Sequence, residues 1–188
     1  ADKVDEIKEL YDEINGKISS GKDLNMPSAV TTPLQTEVTE AIGSYFASRA
    51  LITRSVVGEL IRHFTAGKSS LELVSLPFSP DIIVYCKSKY LFLNRDVESD
   101  KVFGLIEQFE DRHGYYPKVI LQEGDGLTVV EENEKSLQTV HDVFMDLMKI
   151  SYLSQQFGGP HFMSAEQIRF IDNWEVEHYR RKIAKEKL

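Results

Sequence analysis

The stretch from residue 118 to residue 158 constrains the fold more than any other part of the sequence. Two β-rich runs, residues 118–121 and 127–130, are separated by a Glu-Gly-Asp-Gly turn. Asn133 then caps a long helical pattern, which a pair of glycines at 158 and 159 ends. Strand, tight turn, strand and long helix in this order indicate a sheet with helices laid against it.

Periodicity predicts further helices and strands on both sides of this unit. Apolar residues spaced three and four apart predict an N-terminal helix, and the Thr-Pro-Leu-Gln sequence that begins at Thr32 predicts the cap of a second helix. The predicted helices span residues 2–19, 32–50, 99–113, 133–158, 164–171 and 174–188, with one helical turn within 71–76. The predicted strands span residues 82–85, 90–93, 118–121 and 127–130. Residues 55–65 fit both periods badly, so strand and helix stay open there.

Helices flanking a strand-rich centre predict an α/β fold, with α+β as the alternative: a layered sheet with helical extensions at both ends. The strand order does not follow from this pattern. We predict an N-terminal helical segment at 1–50, the α/β core at 51–160, and C-terminal helices packed on the core at 161–188.

Charge and composition exclude several classes of partner. The net charge is −8 without a long basic block, which disfavours nucleic acid, and no apolar run approaches the roughly 20 residues of a membrane-spanning helix. The basic residues near the C-terminus complement the negative end of a final helix. The single cysteine, Cys86, allows no internal disulfide, so a reducing compartment such as the cytoplasm fits best.

The acidic turn is the first candidate site. Glu123 and Asp125 lie two residues apart, and paired carboxylates can bind a hard cation or act as acid and base. Glycine on both sides of an acid is equally ordinary turn chemistry, so the structural interpretation is favoured. Lys87, beside an aromatic-rich run, could attract a small anion or simply be a solvated strand-edge lysine. None of the five histidines has the spacing of a metal-ligand pair.

Several short segments together resemble the class II aldolase/adducin-like family. That family ends its catalytic half with a strand, an Asn-His-Gly or Gly-His-Gly turn, a second strand and a long helix, and residues 118–158 resemble that unit. Two further segments, 78–85 and 172–179, are similar to a branch related to rhamnulose-1-phosphate aldolase, some members of which are fused to a short-chain dehydrogenase. The resemblance implies a class II aldolase-like fold and a cytoplasmic, zinc-dependent sugar-phosphate lyase as the parent protein.

The departures from the family decide what the resemblance implies for this chain. The family binds zinc with a His-x-His pair and the histidine of the turn, whereas this chain has no such pair and carries Asp125 in the turn. Ile82 stands where the branch has the histidine of a Pro-Asp-His segment. The chain begins at Ala1 and enters a helix at once, so we expect a C-terminal piece of a longer protein that packs on an upstream catalytic domain, with a homo-oligomer left open. We expect no catalytic residue and no metal within this piece.

Two alternatives remain at this stage. The chain could be an enzyme in its own right that uses Asp81, Glu123 and Asp125 with a distant histidine around a metal. It could also be a small-molecule- or protein-binding module without chemistry, as in adducin. The weak candidate residues are Asp81, Lys87, Glu123 and Asp125.

Overall fold

The computed structural model of the protein describes residues 4–173, and a five-stranded sheet forms its centre. The strand order is β1-β2-β5-β4-β3, and β3 runs parallel to β4 while the other neighbouring pairs are antiparallel. The strands are β1 Thr32–Pro33, β2 Ile52–Val57, β3 Leu91–Leu93, β4 Val119–Gln122 and β5 Gly126–Glu131. Because β3 and β4 are parallel, their carboxyl ends lie at the same edge of the sheet.

Helices cover both faces of this sheet. The eight helices are α1 Val4–Ser19, α2 Glu37–Ala47, α3 Glu59–Thr65, α4 Lys68–Glu72, α5 Pro80–Cys86, α6 Val102–His113, α7 Glu134–Ser154 and α8 Ala165–Asp172 within the described residues. Helices α3, α5 and α7 share one core cluster with the sheet, α2 and α6 share the other, and α8 packs on α5. The predicted mixed α/β fold, a layered sheet flanked by helices, is confirmed.

Strands β4 and β5 are buried on both faces, which explains why their sequences are nearly continuous apolar runs. Val119 and Leu121 point into the cluster that contains Phe144, whereas Ile120, between them, points into the cluster that contains Phe46. This alternation follows from the two-residue period of a strand. The acidic turn therefore joins the two most buried strands of the molecule.

The strand predicted at 82–85 is wrong, because those residues belong to helix α5. Ser79 is extended and Pro80 occupies the first helical turn, where proline's fixed φ favours a helix and its missing N–H has no cost. The buried residues of α5 are Ile82, Ile83 and Cys86, a helical spacing that the β-branched composition concealed. Cys86 accordingly lies at the end of a helix and not on a strand.

The predicted start of the second helix is also wrong. Thr32 and Pro33 form the short edge strand β1, and the capping box is made by Thr36 and Thr39, whose hydroxyls each accept from the other's backbone N–H. Proline is tolerated at a sheet edge, so it did not mark a helix start here. Residues 55–65 contain both of the proposed elements, since β2 ends at Val57 and α3 begins just after Gly58. The helical turn expected within 71–76 lies earlier, as α4.

The remaining element predictions within residues 4–173 are confirmed. Asn133 accepts a hydrogen bond from the Ser136 N–H and caps α7, and Ser164 and Gln167 form the predicted capping box of α8. The helix predicted at 174–188 lies outside the described residues, and the domain boundaries at 50 and 160 stay a prediction. Between residues 4 and 173, no helix has both the length and the apolar character that crossing a bilayer requires.

Candidate functional site

The acidic turn lies at the carboxyl end of the parallel strand pair and is fixed by backbone hydrogen bonds from two directions. The Glu123 N–H donates to the Leu93 carbonyl at the end of β3, at 2.9 Å. The Gly124 N–H donates to the Thr65 carbonyl at the end of α3, at 2.8 Å. Asp125 closes the turn with a 3.2 Å bond to the Gln122 carbonyl. The turn thus connects α3, β3, β4 and β5.

Arg95 lies against this turn, where it takes the space that a side chain at position 124 would need. Gly124 has φ +80°, and a Cβ built on it would lie 2.8 Å from Arg95 Nη2 and 2.9 Å from Cζ. Only glycine adopts this backbone conformation without strain while leaving room for the guanidinium. A permanent positive charge therefore lies against Gly124, which separates the half-buried residues Glu123 and Asp125 in the turn.

The other two candidate residues lie elsewhere, at the two ends of α5. Asp81 is exposed in the first turn of this helix. Lys87 follows its last residue with φ +69°, and its Nζ lies 5.1 Å from the centre of the Tyr115 ring. Asp81 is therefore positioned by the N-terminus of a helix, where a carboxylate is electrostatically favourable. Lys87 is positioned by an aromatic ring, and a cation–π contact is sufficient to explain its orientation.

Cys86 is fully buried, and burial raises the pKa of its thiol to about 12. Its Sγ lies 3.6 Å from the Val140 carbonyl oxygen of α7. Since the thiolate is the reactive form of cysteine, this residue is a core side chain and not a nucleophile.

The turn does not fit the zinc ion that the resemblance associates with this fold. Catalytic zinc takes three protein ligands, and Glu123 and Asp125 supply at most two. No group of three or more His, Cys, Asp or Glu side chains within residues 4–173 is arranged to hold a metal, so Asp81 does not complete such a set with the turn. The guanidinium of Arg95 lies against Gly124, so the turn already has a positive charge close to its backbone. The donor set and the charge at the turn both disfavour a metal there.

A surface depression of about 740 Å³ begins where β3 ends. Phe92, Leu93 and Leu105 form its apolar part, and Asp96 and Asp100 are among the acidic residues of its rim. Lys101 lies 3.6 Å from the Asp100 carboxylate, which partly balances that charge. The depression adjoins Arg95 in the chain but does not include the acidic turn among its lining residues.

Arg95 is the residue of this region that the sequence did not indicate. It follows β3 by two residues, and the carboxyl ends of parallel strands commonly carry functional side chains. That signal depends on knowing that β3 and β4 are parallel neighbours, which the pattern of apolar residues does not reveal.

The solved structures that resemble this fold include the crystal structure of an aldolase II superfamily protein from Pseudomonas syringae. The match has a TM-score of 0.51 and 15% sequence identity, and it covers 79% of this chain. This chain spans 60% of the length of that protein. At this identity the likeness shows a shared fold, which is class II aldolase-like. No protein-family model and no curated protein sequence matches the chain.

Proposed function

We propose that this chain is a non-catalytic unit of a class II aldolase-type sugar-phosphate lyase. The observation that carries the proposal is the acidic turn, which holds Asp125 where the family resemblance implies a metal-binding histidine. Arg95 covers Gly124 of that turn, and the fold is otherwise of the aldolase type. Such a unit has the fold of the family, but the turn that binds metal in the family has a structural role here. It is therefore suited to packing on a catalytic partner and shaping the cleft of that partner.

The backbone contacts of the turn support a structural role. Three successive N–H groups, from residue 123 to residue 125, donate to carbonyl groups of β3, α3 and β4. A turn held in this way connects the edge strand to the centre of the sheet and fixes the backbone of residues 123 to 125. Each such hydrogen bond contributes about 1 kcal/mol net, so together they stabilise the joint by a few kcal/mol.

The finer identity of the parent protein is part of the same proposal. The segments at 78–85 and 172–179 support the branch related to rhamnulose-1-phosphate aldolase, with a fused short-chain dehydrogenase in some members. We expect an upstream catalytic domain of the same chain to hold zinc and to perform reversible aldol cleavage of a ketose 1-phosphate. The buried, unpaired Cys86 supports a reducing compartment, and we place the protein in the cytoplasm.

Cleavage of rhamnulose 1-phosphate by the purified 188-residue chain tests the proposal. Release of dihydroxyacetone phosphate is followed with added zinc, and we expect no release above a zinc-free control. Zinc-dependent cleavage that Asp125→Ala abolishes would overturn the proposal. Asp96→Ala is the matched control, because it removes one carboxylate from the neighbouring loop and leaves the turn intact.

A ligand-binding role without chemistry is the second candidate, and the depression at the end of β3 is the observation that favours it. Carboxylates on its rim disfavour phosphorylated sugars and favour a cationic ligand. Spermidine should then raise the melting temperature of the chain, and the double variant Asp96→Asn/Asp100→Asn should lose that increase. An unchanged melting temperature with spermidine rejects this candidate.

A further inference from the structure

The depression at the end of β3 lies at an edge of the sheet. Strand β3 pairs with β4 on one side, and among residues 4–173 no strand pairs with its other side. The depression has an apolar part around Leu93 and Leu105. Its charged lining residues are Asp96, Glu98, Asp100 and Lys101. All four are exposed, so three negative charges against one positive charge favour a cationic occupant that also carries some apolar surface.

A buried hydrogen-bond acceptor lies next to the apolar part of the depression. Gln122 is paired with Leu93 in the register of β3 and β4, so the two side chains lie on the same face of the sheet. Gln122 is only 6% exposed, and its Oε1 accepts no hydrogen bond from any residue between 4 and 173. Because buried acceptors are normally paired, an occupant with N–H donors suits this end of the sheet better than one with acceptors alone.

The C-terminal residues of this chain have the matching charge and the N–H donors. Residues 180–187 contain five basic side chains and one acidic side chain, together with the apolar Ile183. The basic residues are Arg180, Arg181, Lys182, Lys185 and Lys187. On the basis of the cation preference behind the second candidate function, we propose that residues 180–187 bind in the depression of the same chain.

The end of α8 brings these residues within reach of the depression. Asp172, the last residue of α8, accepts a hydrogen bond of 2.8 Å from the Ser88 hydroxyl. Four positions separate Ser88 from Phe92, the first residue that lines the depression, which is at most about 14 Å of chain. In the helix predicted from the sequence, residues 180–187 lie about 12–23 Å beyond Asp172, and an extended chain reaches further. The segment therefore reaches the depression without a change in the described fold.

Attachment to the same chain compensates for the weakness of the individual contacts. Exposed ion pairs contribute little one at a time and are screened by salt. A short tether, however, holds the segment at an effective concentration in the millimolar range. We therefore expect the depression to be occupied at low ionic strength and to lose the segment as salt is added.

Carbodiimide cross-linking of the 188-residue chain tests this docking, because the reagent joins an amine to a carboxylate only when the two groups are in contact. In the monomer at low protein concentration, mass spectrometry should find links between the C-terminal lysines and the carboxylates of the depression. The lysines are Lys182, Lys185 and Lys187. These links should decrease at least threefold in high salt, because the contacts depend on charge.

Two double variants show whether the depression itself attracts the segment. In Asp96→Asn/Asp100→Asn, links to the remaining carboxylate, Glu98, should decrease at least threefold. Glu107→Gln/Asp111→Asn is the matched control, because it removes two exposed carboxylates of α6 that do not line the depression. This control should leave the links at the original level.

Three results would overturn the proposal. One is the absence of links between the C-terminal lysines and the depression. Another is a set of links that forms only between two chains. The third is a preference of the lysines for other exposed carboxylates, such as those of α1 or Glu134, over those of the depression.

A chain that ends at residue 179 separates this proposal from the second candidate function. Without residues 180–188 the depression is open, so spermidine should raise the melting temperature of the shortened chain more than that of the full chain. An equal increase in both chains overturns the docking and supports the second candidate. Links at the depression without any effect of spermidine on either chain reject the second candidate and support the docking.

Discussion

Gly126→Ala adds a methyl group at a point where the fold has no room for it. A Cβ at position 126 would lie 2.6 Å from the Val56 carbonyl oxygen and 2.6 Å from Leu34 Cδ2. The Leu34 side chain can rotate away, but the Val56 carbonyl belongs to β2, which pairs with β5 on one side and β1 on the other. To reach ordinary contact, β2 and β5 must separate by several tenths of an ångström at the start of their ladder.

Overpacking of a fixed site costs typically 1–3 kcal/mol, and the obstacle here is backbone, so we expect a loss of about 3 kcal/mol in the free energy of unfolding. Gly124→Ala should cost less, about 1–2 kcal/mol, because the positive φ is penalised while the Arg95 side chain is exposed and can move. Gly104→Ala is the control, since this helical glycine has no atom within 4 Å of the added Cβ. Alanine should stabilise it by about 0.5–1 kcal/mol.

Urea unfolding followed by circular dichroism measures all three variants, provided that the transitions share one slope with denaturant concentration. The predicted order of stability is Gly104→Ala, then the original chain, then Gly124→Ala, then Gly126→Ala. A loss below about 1 kcal/mol for Gly126→Ala would refute the reasoning, because β2 could then not lie as close to the turn as described.

Three further substitutions or reactions test the interior. Lys118 and Glu131 form an ion pair in which the side chains are only 18% and 8% exposed. Lys118→Met leaves the buried Glu131 carboxylate without its cation, so it should lower the free energy of unfolding in urea by about 3 kcal/mol. Adding Glu131→Leu should recover most of that loss. Burial, followed by neighbouring positive charges, lowers the pKa of His113 below its ordinary value. The His113 ring therefore binds a proton more readily in the unfolded chain, and the contribution of His113 to folding stability falls as the pH drops below about 6.5. In thermal melts, the melting temperature of His113→Gln should fall less over this pH range than that of the original chain. Because burial raises the pKa of the Cys86 thiol to about 12, a thiol reagent at pH 8 should label it only at the rate of unfolding, and rapid labelling of the native chain would contradict its burial.

The sequence predicted the centre of the fold well because its elements carry strong local signals. Strands β4 and β5 are apolar runs around a glycine turn, and α7 has a capping asparagine and a sustained helical period. Such signals depend only on residues that are close in the sequence, so they can be recognised without knowledge of the tertiary structure. The same holds for α8, whose capping box formed as predicted.

The incorrect predictions of secondary structure lie where tertiary packing outweighs the local preference of the residues for helix or strand. The run from Ile82 to Tyr85 has a strand-like composition, but a proline start and burial against α7 and α8 make it a helix. Thr32 and Pro33 imitate a helix cap and instead pair with β2 at the edge of the sheet. The pattern of apolar residues in a single sequence does not show which distant segments become neighbours in a sheet.

The candidate site was predictable only in part for the same reason. Glu123 and Asp125 are close in the sequence, so their shared turn was evident. The contact between Arg95 and Gly124 depends on the parallel pairing of β3 with β4, which brings together residues that are 29 positions apart in the chain. This contact places a guanidinium against the turn, for which the sequence already favoured a structural role over a cation site.

Zinc titration of the metal-free chain, followed by calorimetry, tests that interpretation most directly. The original chain, Asp125→Ala and Glu123→Ala should give the same weak isotherm, because the turn lacks a third ligand and lies beside the guanidinium of Arg95. Arg95→Ala should leave the isotherm without a new tight site. Binding of one zinc ion per chain that either carboxylate substitution abolishes would contradict the account.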